Sequence, residues 1–257
     1  MDSRDVVAIV TGGASGLGEA TVKNIINTGG KVAIFDLNKD RANRLIDEID
    51  QPDKLIFFTT DVTIPSQVEE NIKKVREYFG TINVLVNCAG IATPGKVLSR
   101  KGPMSLEAFQ QVVQINLIGT FNVLRIASSY MVENMPNQEG ERGIIINTAS
   151  VAAFEGQIGQ AAYSASKGAV ASMTLPIARE FANQGIRVMA IAPGLFETPM
   201  FDTLPEPAKE QLGRSVPFPN RLGYPREYAR LVESIITNPM LNGEVIRLDG
   251  AIRMQPK

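Results

Sequence analysis

Tyr163 and Lys167 stand four residues apart in the run Tyr163-Ser164-Ala165-Ser166-Lys167, so on a helix they share one face. A tyrosine hydroxyl, with an ordinary pKa of about 10, is a poor base at neutral pH. A neighbouring ammonium favours the tyrosinate and lowers that value. A tyrosine tuned in this way can take a proton from an alcohol as a hydride leaves it. Ser150 lies thirteen residues upstream, at the end of Ile144-Ile145-Ile146-Asn147-Thr148-Ala149-Ser150. That places a hydroxyl just past the carboxyl end of an apolar strand. A Tyr-x-x-x-Lys pair alone arises by chance in many helices, so its weight depends on what surrounds it.

What is missing narrows the chemistry. The chain has no histidine, which removes Ser-His-Asp hydrolases, Cys-His proteases and histidine-ligated zinc enzymes. It has one cysteine, Cys88, so an intrachain disulfide and a CxxC site are both excluded, and no metal is expected. Proton transfer then falls to Tyr, Lys, Asp, Glu, the single Cys or water. A net charge of -1 gives no basic footprint for nucleic acid. No apolar run approaches the ~18 residues of a membrane span. The N-terminal residues Met1-Asp2-Ser3-Arg4-Asp5 resemble neither a signal nor a transit peptide. The expected compartment is the cytoplasm, and a processed mitochondrial matrix form fits equally.

The elements that must position these groups alternate. Apolar runs at Val6–Val10, Val32–Phe35, Leu55–Phe58, Val84–Val86, Ile144–Ile146, Val188–Ile191 and Val245–Leu248 are mostly unalternated, as in strands buried on both faces. Helical spacing fills Leu17–Thr28, Arg41–Ile49, Ser66–Phe79, Leu106–Val132, Ala161–Phe181 and Arg226–Thr237. The alternation predicts an α/β fold in which residues 1–257 make a single Rossmann-type domain. Its doubly wound parallel sheet has about seven strands, with helices on both faces.

The first strand runs into Thr11-Gly12-Gly13-Ala14-Ser15-Gly16-Leu17-Gly18 and then a helix. Glycines permit close backbone approach, and the helix start offers unpaired N–H groups to a phosphate. A plain tight turn is the alternative. Strand two ends at Asp36, whose carboxylate can accept from both ribose hydroxyls of an adenosine and would repel the extra phosphate of NADP. Leu37 follows, not a basic residue, so NAD is the expected cofactor, although Asp36 could instead cap a helix. Asp61-Val62 and Asn87-Cys88-Ala89-Gly90 also lie at strand carboxyl ends, where ligands bind in such sheets; turn chemistry is the alternative for each.

Two stretches break the rhythm, near 93–105 and 196–221, and each reads either as an excursion next to a substrate site or as a variable surface loop. Lys96, Arg100 and Lys101 place positive charge in the first. They suit the phosphates of coenzyme A, or form a solvated charged loop.

Taken together, these motifs resemble the short-chain dehydrogenase/reductase family over essentially the whole chain. Thr11-Gly12 through Gly18 is similar to its cofactor turn. Asn87-Cys88-Ala89-Gly90 is similar to its Asn-Asn-Ala-Gly element, with Cys88 replacing the second Asn. Asn116, Ser150, Tyr163 and Lys167 match its catalytic tetrad, and Pro193-Gly194 its turn after strand six. The resemblance implies that Ser150 orients the substrate oxygen and Tyr163 transfers the proton. It implies that Lys167 holds the nicotinamide ribose and that Asn116 anchors a relay water. It also implies a cofactor cleft formed by Gly12, Ser15, Gly16, Leu17, Gly18, Asp36, Asp61, Val62, Cys88, Ala89, Gly90, Tyr163, Lys167, Pro193, Phe196 and Thr198.

Longer runs resemble one branch, the type II 3-hydroxyacyl-CoA dehydrogenases. These are Arg142 to Gln157, Met173 to Arg179, Ala192 to Phe196, Val216 to Pro219 and Leu241 to Met254. That branch implies NAD-linked oxidation of an (S)-3-hydroxyacyl-CoA to the 3-oxo thioester, with Ser150 and Tyr163 on the substrate, in a homotetramer. The rival enzyme readings are an NAD(P)-linked 3-oxoacyl carrier-protein reductase and a general alcohol or hydroxysteroid dehydrogenase. The non-enzyme reading is an NAD-binding scaffold, against which the joint presence of Ser150, Tyr163 and Lys167 argues.

Overall fold

The computed structural model describes residues 1–199 and 205–256. The apolar runs become strands β1 (Val7–Thr11), β2 (Lys31–Asp36), β3 (Leu55–Thr59) and β4 (Val84–Asn87). After a separate antiparallel ribbon of β5 (Leu98–Ser99) and β6 (Gly102–Pro103) come β7 (Gly143–Thr148), β8 (Ile186–Pro193) and β9 (Val245–Leu248). Among the described residues one parallel sheet of seven strands has the order β3-β2-β1-β4-β7-β8-β9. The helices are α1 (Gly16–Asn27), α2 (Lys39–Ile49), α3 (Pro65–Phe79), α4 (Leu106–Val113), α5 (Thr120–Met131), α6 (Ala161–Phe181), α7 (Glu206–Arg214) and α8 (Pro225–Thr237). This is the α/β, doubly wound single sheet that the alternation predicts.

The strands read as continuous apolar runs because successive side chains enter two different cores. Ala8, Val10, Ile144 and Ile146 pack with Val22 and Ile25 of α1, Leu45 of α2 and Val232 and Ile235 of α8. Ile9, Leu85 and Ile145 point the other way, into Ile72 of α3, Val123 and Leu124 of α5 and Ile177 of α6. Each such fully buried side chain contributes ~1.5–3 kcal/mol relative to exposure. One buried charge interrupts β8. Arg187 donates to Glu141 at 2.8 Å and to the carbonyls of Ile235, Ile236, Asn238 and Leu241, so it closes the carboxyl end of α8.

Three segments differ from the sequence expectations. The helix expected over 106–132 is divided by a π-helical turn at Gln114–Gly119, a form that is rare and that recurs at functional sites. The 93–105 excursion is not simply loop: it contains the β5–β6 ribbon, whose turn is held by the Ser99 hydroxyl donating to the Gly102 carbonyl at 3.1 Å. The 196–221 excursion contains α7, and its residues 200–204 lie outside the described residues. No described helix is long and apolar enough to cross a membrane.

Candidate active site

From β1 the chain winds outward to β2 and β3, then returns to β4 on the other side of β1. The winding reverses there, so α1 leaves toward one core and α5 toward the other. The crevice this opens beyond the carboxyl ends of β1 and β4 is where ligands bind in such sheets. The glycine turn and Asn87-Cys88-Ala89-Gly90 both fall on it.

The turn is built for close approach. Gly12 has φ +63° and packs its Cα against the Cys88–Ala89 backbone, where a Cβ would come within 2.9 Å of the Ala89 nitrogen. A Cβ on Gly18 would collide with the Gly12 carbonyl oxygen. Ser15 precedes α1 in extended conformation and makes no side-chain cap bond, so its hydroxyl and the first-turn N–H groups suit a phosphate. Leu17 packs its half-buried side chain against the first core. Thr198 lies over Gly16, 3.3 Å from where a Cβ would stand.

Asp36 is not the cap of α2. That role belongs to Asn38, whose Oδ1 accepts from the Arg41 N–H at 3.0 Å. The Asp36 carboxylate instead accepts from Ala14 N–H at 3.1 Å and Asn38 N–H at 2.9 Å. Two backbone donors orient it while each oxygen keeps a lone pair for a ribose hydroxyl. Asp61 is committed to a turn, its Oδ1 accepting from the N–H and hydroxyl of Thr63. Val62 packs on Gly119 of the π-turn, and its carbonyl accepts from Asn122. These residues and the glycine turn fit a nicotinamide dinucleotide.

Cys88 and Phe196 face away from the crevice. The Cys88 thiol approaches the Tyr228 hydroxyl and the Thr148 hydroxyl, each at 3.7 Å, and burial pushes its pKa up. The Phe196 ring is buried against Gly223. Either residue therefore meets a cofactor only through its backbone. Ala89 N–H donates to Thr11 Oγ1 at 3.1 Å, and Pro193 closes β8 among buried residues.

At the other end of the crevice Ser150, Tyr163, Lys167 and Asn116 come together. Ser150 leaves β7 in extended backbone, and its Oγ accepts from Ala152 N–H at 3.1 Å. Its own proton is thereby left for a second partner. Tyr163 and Lys167 lie one turn apart on α6, with Nζ 6.0 Å from the ring centroid. Lys167 is buried and donates to the Thr148 carbonyl at 2.6 Å. Gly90 fronts both Lys167 and Asn116: a Cβ there would stand 3.6 Å from Nζ and 3.1 Å from Asn116 Oδ1. Asn116, in the π-turn, accepts from Ile91 N–H and donates to the Ile91 carbonyl and the Ser166 hydroxyl. Its side chain is thus a clamp between the β4 turn and α6.

The electrostatics depart from the sequence expectation. Burial raises the Tyr163 pKa, with the Ser150 hydroxyl pulling in the opposite direction. The expected lowering by Lys167 is not what the protein alone provides, because burial also weakens that ammonium, to a pKa of about 8. The physical reason is shared desolvation, which sequence spacing does not reveal.

Sequence reasoning missed Thr148, Ser166, Tyr228 and Glu155. Glu155, in the loop after Ser150, pairs with Arg247 at 2.8 Å and Arg253 at 3.2 Å. The Arg247 guanidinium holds its pKa down. The pair braces the catalytic loop against the C-terminal segment, where Ile158 N–H also donates to the Pro256 carbonyl. Their spacing carries no local signal, since the partners are ninety-two residues apart. A cleft of about 920 Å3 opens behind the glycine turn, between α1 and α7, not over Tyr163. It contains none of the groups just described except Gly16 and Thr198.

Comparison with known proteins agrees with this geometry. The profile of the family described as short chain dehydrogenase matches residues 6–209. The 3-hydroxyacyl-CoA dehydrogenase type-2 of Drosophila melanogaster is 52% identical over 98% of this chain and 99% of its own. The Bos taurus protein of the same name is 53% identical, over 98% and 97%. The crystal structure of 3-hydroxyacyl-CoA dehydrogenase type-2 from Mycobacterium avium superposes with a TM-score of 0.92 at 38% identity, covering 98% of this chain and 97% of that one. The glycine turn at the switch point, the Ser150–Tyr163–Lys167 cluster and these matches lead to one assignment: the chain is an oxidoreductase belonging to the short-chain dehydrogenase family.

Proposed function

We propose that the protein oxidises the 3-hydroxyl of (S)-3-hydroxyacyl-CoA thioesters to the 3-oxo form, with NAD as hydride acceptor. The observation that carries the reading is the grouping of buried Ser150 and Lys167 with half-buried Tyr163 beside the cofactor crevice. Near-full-length similarity to proteins named for that reaction supports the substrate class. Asp36 favours NAD, because a 2′-phosphate would meet its carboxylate, and disfavours an NADPH-linked carrier-protein reductase.

Ser150 already accepts one hydrogen bond, so its O–H donates to the substrate oxygen and orients the alcohol. NAD, when bound, accepts the hydride, and its positive ring strengthens the field favouring tyrosinate. The Tyr163 oxygen, as tyrosinate, takes the alcohol proton. Lys167, with its pKa near 8, is matched to relay that proton at mildly alkaline pH. Asn116 keeps the β4 turn and α6 in register. A relay water there would use the main-chain carbonyl of Asn116, which also accepts from Thr120 at 2.7 Å. Lys96, Arg100 and Lys101 are exposed on or beside the β5–β6 ribbon, whose base is tied to the catalytic loop by Gly95 N–H donating to the Gly159 carbonyl. We assign them to the coenzyme A phosphates. Half-exposed Phe121 on α5 and Leu175 on α6 suit burial in a homotetramer.

The test mixes the protein with NAD and (S)-3-hydroxybutyryl-CoA and follows NADH absorbance, with Tyr163→Phe as control. NADH formation that is lost in the variant supports the reading. Turnover confined to steroids or simple alcohols would keep the family and discard the substrate. Neutralising Lys96, Arg100 and Lys101 together should raise KM for the thioester. An unchanged KM would make them a solvated ribbon.

A further inference from the structure

Tyr228 is fully buried in the first core, on the apolar face of α8, where a phenylalanine would fill the same space with no polar atom to satisfy. Its hydroxyl lies 2.8 Å from Thr148 Oγ1. Thr148 Oγ1 in turn donates to the Asn87 carbonyl at 2.6 Å. A hydroxyl has one proton, so the phenol must be the donor in the Tyr228–Thr148 bond. Cys88, 3.7 Å away, can donate its S–H to the phenol oxygen. The hydrogens therefore point one way, from Cys88 through Tyr228 and Thr148 to the backbone of β4.

Thr148 is also the residue whose carbonyl receives the Lys167 ammonium at 2.6 Å. It ends β7, where the strand gives way to the Ser150 loop. Its side chain is held from two directions, by Asn87 of β4 and by Tyr228 of α8, while its carbonyl meets Nζ. The titratable groups around it are Lys167 from α6, Tyr228 from α8 and Cys88 from the β4 turn, with Tyr163 one helical turn before Lys167.

We propose that Tyr228 is a positioning residue for the reaction: acting through Thr148, it holds Lys167 where its charge acts on Tyr163 and on the cofactor. This rests on the assignment of Tyr163 and Lys167 to proton transfer. It extends the active site across the sheet, to a helix on the opposite face from α6.

The test uses the full chain carrying Tyr228→Phe, Thr148→Val, both together, and Thr148→Ser. Turnover is measured with NAD and (S)-3-hydroxybutyryl-CoA. The Lys167 titration is measured without cofactor, as the side-chain carbon NMR signal of that lysine, assigned by its loss in Lys167→Met. Tyr228→Phe should lower kcat about threefold to tenfold while KM for the thioester stays the same. It should move the Lys167 titration downward by about half a pH unit, because a carbonyl no longer aimed at Nζ stabilises the ammonium less. Thr148→Val should do the same, the double variant should add nothing further, and Thr148→Ser should restore both values. Should Tyr228→Phe fold poorly, Thr148→Val severs the same contact from the other side. A lower melting temperature with kcat and titration unchanged would overturn the proposal, as would additive effects in the double variant. If the parent chain oxidises no alcohol, the proposed function falls while the Lys167 titration still decides the role of Tyr228.

Discussion

Lys167 reaches from α6 to the end of β7 and donates to the carbonyl of Thr148 at 2.6 Å, an ammonium buried against a single backbone acceptor. Burial lowers its pKa from 10.5 to about 8, so the folded state disfavours the charged form. Between those two values the unfolded chain binds more protons, and stability therefore rises with pH through that window. The penalty is fully present below pH 8. Lys167→Met should abolish turnover yet stabilise the fold near neutral pH, by up to about 3 kcal/mol. Thermal melts of both proteins near pH 7 and near pH 10 check this. The advantage of the variant should shrink at the higher pH, and a variant less stable than the parent at neutral pH would contradict the desolvation argument.

Asp36 is oriented by Ala14 N–H and Asn38 N–H toward the expected ribose. Asp36→Ala should lower kcat/KM for NAD about tenfold to a hundredfold, the worth of hydrogen bonds to a charged acceptor, and raise that for NADP. The ratio of the two specificity constants is the measurement. A ratio that does not move would remove Asp36 from cofactor selection.

Cys88 has a raised pKa and lies against Tyr228 and Thr148. A thiol kept protonated and half-buried reacts slowly. The native protein should be silent to an aromatic disulfide reagent for the duration of an activity assay and should release one equivalent in denaturant. Rapid labelling of the folded protein would show that the turn after β4 opens.

Glu141 is buried beside Arg187, which also donates to four carbonyls at the end of α8. Removing one partner of a buried pair leaves an uncompensated charge. Glu141→Gln should cost about 3 kcal/mol in urea unfolding, with kcat per folded molecule unchanged, since the pair lies far along β8 from Pro193 and the crevice. A midpoint shift near zero would mean that the α8 carbonyls alone satisfy the guanidinium.

Much of the fold was legible because the strands are buried on both faces: Ile144-Ile145-Ile146 needs two cores, and two cores need helices above and below. The glycine turn and the Tyr163–Lys167 spacing were legible because their effects are local. The π-turn at 114–119 was not, since the apolar periodicity of 106–132 runs through it without a glycine or proline break before Gly119. Helix α7 was hidden by its prolines and by a polar composition that buries only Gly213. The direction of the Tyr163 pKa was hidden as well, because desolvation is set by distant chain. Tyr228 read as an ordinary core residue of α8. Only the strand order brings its hydroxyl to Thr148.

The π-turn makes the segment from Leu106 to Met131 sensitive to where its length changes. Each residue turns an α-helix by about 100°, and the wider π-turn spreads one extra residue over the same rotation. Deleting one residue between Gln114 and Gly119 would let the helix close into regular α-geometry with α4 and α5 still in phase, at the cost of the clamp that Asn116 makes between the β4 turn and α6. The same deletion at the start of α5 has no such slack: Ala127 and Met131 would swing off the sheet, while Phe121 and Arg125 would turn toward it. Inside the π-turn a lost residue is a lost contact; one step beyond it, the same loss is a change of phase.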